Sequence, residues 1–572
     1  MNRPLILARH ALVASAAIAA LCAQPLLAQS MSYEPIDGEG SSSGSTKKRG
    51  GLTTRGAGGG ARTTIQPYIE ANQNVLFELS PGDDVLTYST IAAGVDMALN
   101  GRRTQGAVSV RYERRIAYGN NNRGINGDTI SGLARVKHDL VPRKLAIEAG
   151  ALAVRTRFEG NGASSLNPVA NGDASNQVYS LYAGPAVSTN VGDVALSGSY
   201  MLGYTRIEQS SSPQNPPANN LTQIFDDSFA QSAQVSAGIA AGTVLPIGLT
   251  ATGSFFQEDI SNLDQRVRDM RASVQANYPV SSTVAVIGAI GYEDVSVSSR
   301  DALRDANGNG VIGSDGRYVT DTSRDRQIAY ETDGLTWDAG VMWRPSRRTA
   351  LSAFIGRRYD STTYYGSFSY TPNDRSALTI AVFDNISGFG GQVNRALRDL
   401  PTDFEVNRDP FNGQISGCAN GAQSGGCINN ALSSVSASVF RARGVNATYS
   451  RRIGRMTAGI GGGYIRRSFI AREDSVLGAA NGTLDESFYV DAGINGPIDR
   501  RSSFAISTYA AWFQNGASDL QDINTVGANA SYFRNLTDRL VATAAVGLVS
   551  VNRKVVEDDT YASGLVGLRY SF

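Results

Sequence analysis

Two histidines, three cysteines and three tryptophans are all that 572 residues supply of those types, and the charges nearly cancel, with 52 Lys+Arg against 51 Asp+Glu. Each scarcity excludes something. A formal charge of +1 leaves no electrostatic footprint for nucleic acid, which needs a clearly basic surface. His10 falls in a leader segment, so His138 is the histidine left to act as a base. It shares parity with Val136 and Leu140 beside the turn at Pro142, a place for an interfacial girdle rather than a catalytic centre. There is no CxxC, phosphate loop or dinucleotide fingerprint, so we expect no enzyme. Beyond the leader no apolar run approaches the ~20 residues of a spanning helix. If this chain sits in a membrane, it does so as strands. What is plentiful is glycine, 62 residues, and tyrosine, 24, while charged residues are only 18%. That balance points to β-structure in an unusual solvent.

Residues 1–28 read as a signal peptide: Arg3 and Arg9 are basic, residues 11–23 are apolar, and Leu26-Leu27-Ala28 precedes Gln29 as a cleavage site. Cys22 follows Ala20-Leu21, which does not fit a lipobox. Residues 29–62 are Gly/Ser-rich and bury almost nothing, the composition of a flexible periplasmic arm. From there, residues 63–572 keep one texture, segments of alternating hydrophobicity separated by turn chemistry, the weak signature of a transmembrane barrel.

The last segment shows it best. Phe572, Tyr570, Leu568, Val566, Gly564 and Ala562 share one parity; Ser571, Arg569, Gly567, Leu565 and Ser563 share the other, and only Leu565 breaks the alternation. Successive strand side chains face opposite sides, so one face suits lipid and the other a wet lumen. The same logic turns Arg111, Glu113, Arg115 and Arg569 toward the lumen. Two segments are less clean. Residues 540–549 are apolar on both parities, and Arg466-Arg467 places one Arg on the lipid side, at a cost of ~2 to 4 kcal/mol unless near an interface. The ending, Phe572 with Tyr570 two residues earlier, resembles the insertion signal of bacterial outer-membrane barrels. It implies the barrel-assembly machinery, outer-membrane lipids and lipopolysaccharide as partners.

Ten short turns punctuate the chain: at residues 100–103, 141–144, 191–193, 245–248, 279–282, 344–347, 372–375, 452–455, 497–500 and 536–539. Outer-membrane barrels keep short turns in the periplasm. These turns therefore predict an all-β, antiparallel up-and-down barrel of about 22 strands, within a range of 18–24, with both termini periplasmic. Such a sheet has a Cα diameter of roughly 44 Å. The arm cannot fold into a plug, so the expectation is a barrel without a plug domain, closed by long extracellular loops near 159–175, 209–227, 300–333 and 387–433.

The 387–433 loop is the candidate gate. Val393, Ala396, Leu397 and Leu400 follow helical spacing, Arg395, Arg398 and Asp399 take the other face, and Pro401 ends the run. It reads either as a constriction helix folded inward or as a helix capping the rim. Cys418 and Cys427 lie in the same loop, and an oxidising compartment favours their pairing over two free thiols. In the 300–333 loop Asp305, Asn307 and Asn309 occupy positions 1, 3 and 5 of a calcium-loop pattern, yet position 12 is Gly316 with Asp315 beside it. An Asn/Gly turn in an exposed loop without flanking helices explains these residues more simply, and no other cofactor is expected.

Pro67-Tyr68-Ile69-Glu70, Arg111-Tyr112-Glu113-Arg114-Arg115 and the stretch from Gly356 through Tyr364-Tyr365 to Tyr370 resemble the outer-membrane β-barrel porins (type two) often encoded with exopolysaccharide secretion systems. The resemblance implies an integral outer-membrane barrel, export of a polymer, and a periplasmic polysaccharide-export partner; it defines no catalytic residues. Two function classes follow: a channel for polar solutes or secreted polysaccharide, and a non-conducting surface barrel whose loops bind external ligands.

Overall fold

The computed structural model describes residues 62–118, 127–158, 164–165, 175–209, 225–404, 408–415, 418–420, 425–516, 522–554 and 558–572. The segments read above as a signal peptide and an arm, up to residue 61, and most of the 159–175 and 209–227 loops lie outside the described residues.

One antiparallel sheet dominates. Its strands are β1 (Arg62–Ser80), β2 (Val85–Asn100), β3 (Thr104–Tyr118), β4 (Gly127–Val141), β5 (Leu145–Phe158), the two-residue β6 (Ser164–Ser165), β7 (Ser175–Val191), β8 (Val194–Gln209), β9 (Asp227–Ile239), β10 (Gly248–Ile260), β11 (Gln265–Pro279) and β12 (Val284–Ser299). They continue with β13 (Gln327–Ser346), β14 (Thr349–Arg358), β15 (Ser361–Asn373), β16 (Ser376–Ser387), β19 (Val439–Ile453), β20 (Met456–Ile470), β21 (Leu484–Pro497), β22 (Ser502–Asn515), β23 (Ile523–Asn535), β24 (Leu540–Arg553) and β25 (Asp559–Ser571). A separate small hairpin, β17 (Cys418–Asn420) and β18 (Gly425–Cys427), lies between β16 and β19. Sequence neighbours pair throughout, and β1 pairs with β25 from Tyr68↔Ser571 to Phe77↔Ala562, so the sheet closes. Leaving out β6, 22 strands form a barrel.

Alternation fixes which side is wet. On β3, Val110 and Tyr112 are exposed on the outside, while Arg111, Glu113 and Arg115 are buried within. On β25, Val566, Leu568 and Phe572 face out and Leu565 faces in. The apolar outer face, the closed edge and the even strand number make this an outer-membrane barrel. Both ends of the sheet and the short turns share one rim, the periplasmic one. Gly192 (φ 60) and Gly454 (φ 61) sit at two of these turns in the left-handed region that glycine enters at no steric cost. Arg466 is on the outer face, but near the long-loop end of β20, where Glu486 lies 3.7 Å away.

The interior corrects one expectation. The barrel is not without a plug: the described parts of the 388–438 connection between β16 and β19 turn inward and occupy part of the lumen. It carries helix α1 (Phe389–Asp399) and the short helix α2 (Asn429–Leu432). Phe389, Val393, Leu397 and Leu400 are at most 1% exposed, packed against Val154, Val178, Ile207 and Ile260 of the wall. Burying each such side chain contributes about 1.5 to 3 kcal/mol. The plug is thus a strand connection rather than a separate domain, and of the two readings of the 387–433 loop the helix folded inward is the one the structure has.

Candidate functional site

Three stretches of the connection are seated on the wall. The first is the N-terminus of α1. Glu258, on the inner face of β10 and fully buried, accepts the N–H of Gly388 at 2.7 Å and that of Gly391 at 2.8 Å. A carboxylate at a helix N-terminus satisfies orphan donors and favours the helix dipole. Side chains at Gly388, Gly390 and Gly391 would collide with Ile260, Ser228 and Glu258, so the approach needs glycine there. Asn394 donates to Thr205 Oγ1 at 3.0 Å, Arg398 donates to Ser232 Oγ at 3.0 Å, and Phe389 meets Phe225 edge to face at 5.1 Å. Arg395 lies over the Phe256 ring at 5.6 Å.

The second is the turn at 408–415. Arg408 donates to Ser131 Oγ at 2.7 Å and to Ser109 Oγ at 2.9 Å, and Arg115 donates to the Asn412 carbonyl at 3.1 Å. Ser131 donates to the Gly413 carbonyl at 2.9 Å, and the Arg155 N–H donates to Gln414 Oε1 at 2.8 Å. On the opposite side Asn529 donates to Asp409 Oδ2 at 3.2 Å, while Phe411 packs on Ala545 and Leu565. Burial pushes the Asp409 carboxyl above its ordinary range even though the Phe411 and Asn412 N–H groups and Asn529 bond to it.

The third stretch precedes β19. Arg467, 2% exposed, donates to the Ser434 carbonyl at 3.1 Å, and Gln265 donates to the Ala437 carbonyl at 2.6 Å. Cys427 is disulfide-bonded and packs on Tyr489, and the β17/β18 ladder sets residue 418 opposite it.

The residues singled out in the sequence fall into distinct places. Val393, Leu397 and Leu400 form the buried side of the plug; Arg395 and Arg398 reach the wall. Arg111, Glu113 and Arg115 face inward but are seated under the plug. They are joined in a chain: Glu70 to Arg111 at 2.8 Å, Arg111 to Glu113 at 3.1 Å, and Glu113 to Arg115 at 2.7 Å. Arg569 lies lower, paired with Asp96 at 2.7 Å and 3.5 Å over the Tyr68 ring. Tyr570 and Phe572 meet edge to face at 5.2 Å at the periplasmic rim. In the 300–333 loop Asp305 Oδ1 accepts the N–H groups of Asn307 and Asn309, and Asp315 accepts that of Arg317. These carboxylates tie turns, and among the described residues no group of three or more His, Cys, Asp or Glu converges as metal ligands. Sequence reading missed Glu258, Arg408 and Phe411. The available signals were Leu565, whose broken alternation marks where Phe411 sits, and the apolar inner parity of 540–549, where Ala545 packs under the same ring.

Beside the plug is a cavity of about 1110 Å³. Phe404, Arg408 and Asn412 of the plug flank it, Gln66, Asn535 and Ser571 line it near the periplasmic turns, and Phe513, Ile523 and Arg553 line it near the long-loop ends.

No family model and no curated protein matches the chain. Among solved structures it is similar to the FrpB iron transporter from Neisseria meningitidis (F3-3 variant), with 13% identity, 89% of this chain and 81% of that chain covered, and a TM-score of 0.42. It is similar also to the ferric-catecholate import receptor Fiu from E. coli K12 in its open form, with 11% identity, 88% and 81% covered, and a TM-score of 0.40. The siderophore receptor PirA from Acinetobacter baumannii matches with 8% identity, 89% and 81% covered, and a TM-score of 0.40.

Proposed function

We propose that this barrel is a gated outer-membrane channel whose conducting path is the lumen and whose gate is the 388–438 connection. The observation that carries the reading is the cavity, which runs beside the plug along the β21–β25 wall, from Pro497, Asn535 and Ser571 at the periplasmic turns to Phe513, Ile523 and Arg553 at the long-loop ends, and is narrowed by one chain segment. Its wall sets Gln66, Glu70, Asp96, Ser507, Asn529 and Arg569 within a larger apolar lining, groups that suit a hydroxyl-rich or otherwise polar solute. The resemblance at Arg111–Arg115 and Gly356–Tyr370 makes polymer export, with a periplasmic export partner, one use of that path beside diffusion of polar solutes.

Deletion of residues 390–430 tests this. The shortened barrel should assemble, raise conductance in planar bilayers and sensitise cells to bulky antibiotics. An assembled deletion variant with wild-type conductance and exclusion size would instead support the surface-barrel reading.

A further inference from the structure

Above Gly366 and Val382 the wall is not continuous. β15 and β16 pair from Asn373↔Ser376 up to Gly366↔Val382, and there the ladder stops, although β15 reaches Ser361 and β16 reaches Ser387. Over that length β16 keeps its other neighbour, with Phe383↔Gly444 through Ser387↔Phe440 of β19. The upper part of β16 has therefore left the β15 edge and taken β19 with it.

Burial shows where it went. Asp384 and Ile386 share parity with Val382, which is exposed on the outer face. Ile386 is nevertheless 1% exposed and belongs to the cluster that holds Val267 and Val295, inward-facing residues of β11 and β12. An outer-face residue packed on an inner face means that upper β16 lies inside the barrel. It ends there at Ser387, and the next residue, Gly388, bonds to Glu258.

The tip of the β14–β15 hairpin turns inward beside the gap, onto β11 and β12. Tyr359, 4% exposed at φ 52, donates its hydroxyl to Asp269 Oδ2 at 2.7 Å and its N–H to Glu293 Oε1 at 2.6 Å. Its ring lies against the guanidinium groups of Arg358 at 4.5 Å and Arg441 at 4.9 Å. On the β16 side, Asp384 pairs with Arg441 at 2.7 Å and Arg443 at 3.2 Å, and Arg443 donates to the Thr362 carbonyl at 3.1 Å. Side chains here hold together what backbone ladders hold elsewhere.

We propose that the seam between β15 and β16 is the hinge of the gate. In the open state β16 zips onto β15 in the register it already has below, which sets Thr363 opposite Asn385 and Ser361 opposite Ser387. Zipping draws Gly388 and α1 away from Glu258. The two states exchange one set of hydrogen bonds for another, as a bistable element requires. The hinge rests on the channel reading and gives it a moving part.

A cysteine pair tests it: Thr363→Cys with Asn385→Cys, set beside a control, Ser367→Cys with Ala381→Cys, whose positions already face each other. Disulfide formation is read by mass spectrometry on full-length barrels in membranes, and conductance is read in planar bilayers before and after reduction. The 363/385 disulfide should form and raise conductance several-fold, reversibly, and Tyr359→Ala should speed its formation. Two results overturn the hinge: a control disulfide that forms while the 363/385 disulfide does not, or a 363/385 disulfide that leaves conductance unchanged although the 390–430 deletion conducts. If neither the locked nor the deleted barrel conducts, the channel reading fails whatever the seam does.

Discussion

The carboxylate of Glu258 and the N–H of Gly388 are 130 residues apart in the chain and 2.7 Å apart in the lumen. Together with Gly391 they form a latch that no local sequence pattern encodes. Glu258→Ala leaves two buried helix donors unpaired, at about 1 to 3 kcal/mol each, and Glu258→Gln, which keeps an acceptor, should cost less. Trypsin cutting at Arg395 and Arg398 in intact outer membranes should rise for both variants, more for Ala, with heat-modifiable migration unchanged. Wild-type protection in the Ala variant would remove Glu258 as the latch.

Phe411→Ala opens a hole above Ala545 and Leu565. Loss of a buried aromatic costs about 3 to 5 kcal/mol, which falls on plug docking rather than on the sheet. Proteolysis of the 408–415 turn should increase, while the melting of the barrel by circular dichroism should shift little. A large drop in barrel melting would show that the plug is part of the barrel's own core.

Asp409 gives the docked plug a pH dependence. Its carboxyl is raised by burial, so the docked state binds a proton more readily than a released, solvated turn. Docking is therefore penalised at neutral pH. The penalty fades as pH falls through the raised value toward the ordinary carboxylate range. Conductance should drop on mild acidification, and Asp409→Asn should remove that part of the response. A channel that opens on acidification in an Asp409-dependent way would reverse the sign and refute the assignment.

The disulfide at Cys427 holds the far side of the connection. Replacing both Cys418 and Cys427 with Ser should raise conductance and leave assembly intact. Unchanged single-channel traces would show that the clip does not restrain the gate.

Replacing Tyr570 and Phe572 with Ala should block insertion, because the last strand loses the aromatic pair at its periplasmic end. Membrane fractionation and heat-modifiable migration read this directly, and normal values for both would refute it.

Much of the wall was legible in the sequence because its physics is local. A strand between water and lipid must alternate, and a tight turn needs its own residue types, so β3, β25 and the short turns could be read from composition along a few residues. The helix at Val393, Leu397 and Leu400 was legible for the same reason. Its seat was not, nor that of the 408–415 turn, since Glu258 meets Gly388 and Ser131 meets Arg408 only across the closed sheet. The apolar inner parity of 540–549 pointed the same way, for Ala545 packs under Phe411. The departure of β16 from β15 left no local trace at all.

The 408–415 turn straddles the place where the barrel closes on itself. Tyr88, Ser109 and Ser131 hold it on the β1 side of the β1/β25 seam, and Asn529, Ala545 and Leu565 hold it on the β25 side. Half of its seat is made by early strands and half by the last ones. A chain whose first and last strands have not met offers it nowhere to dock, so a seated turn certifies a finished barrel and then staples its final joint from within.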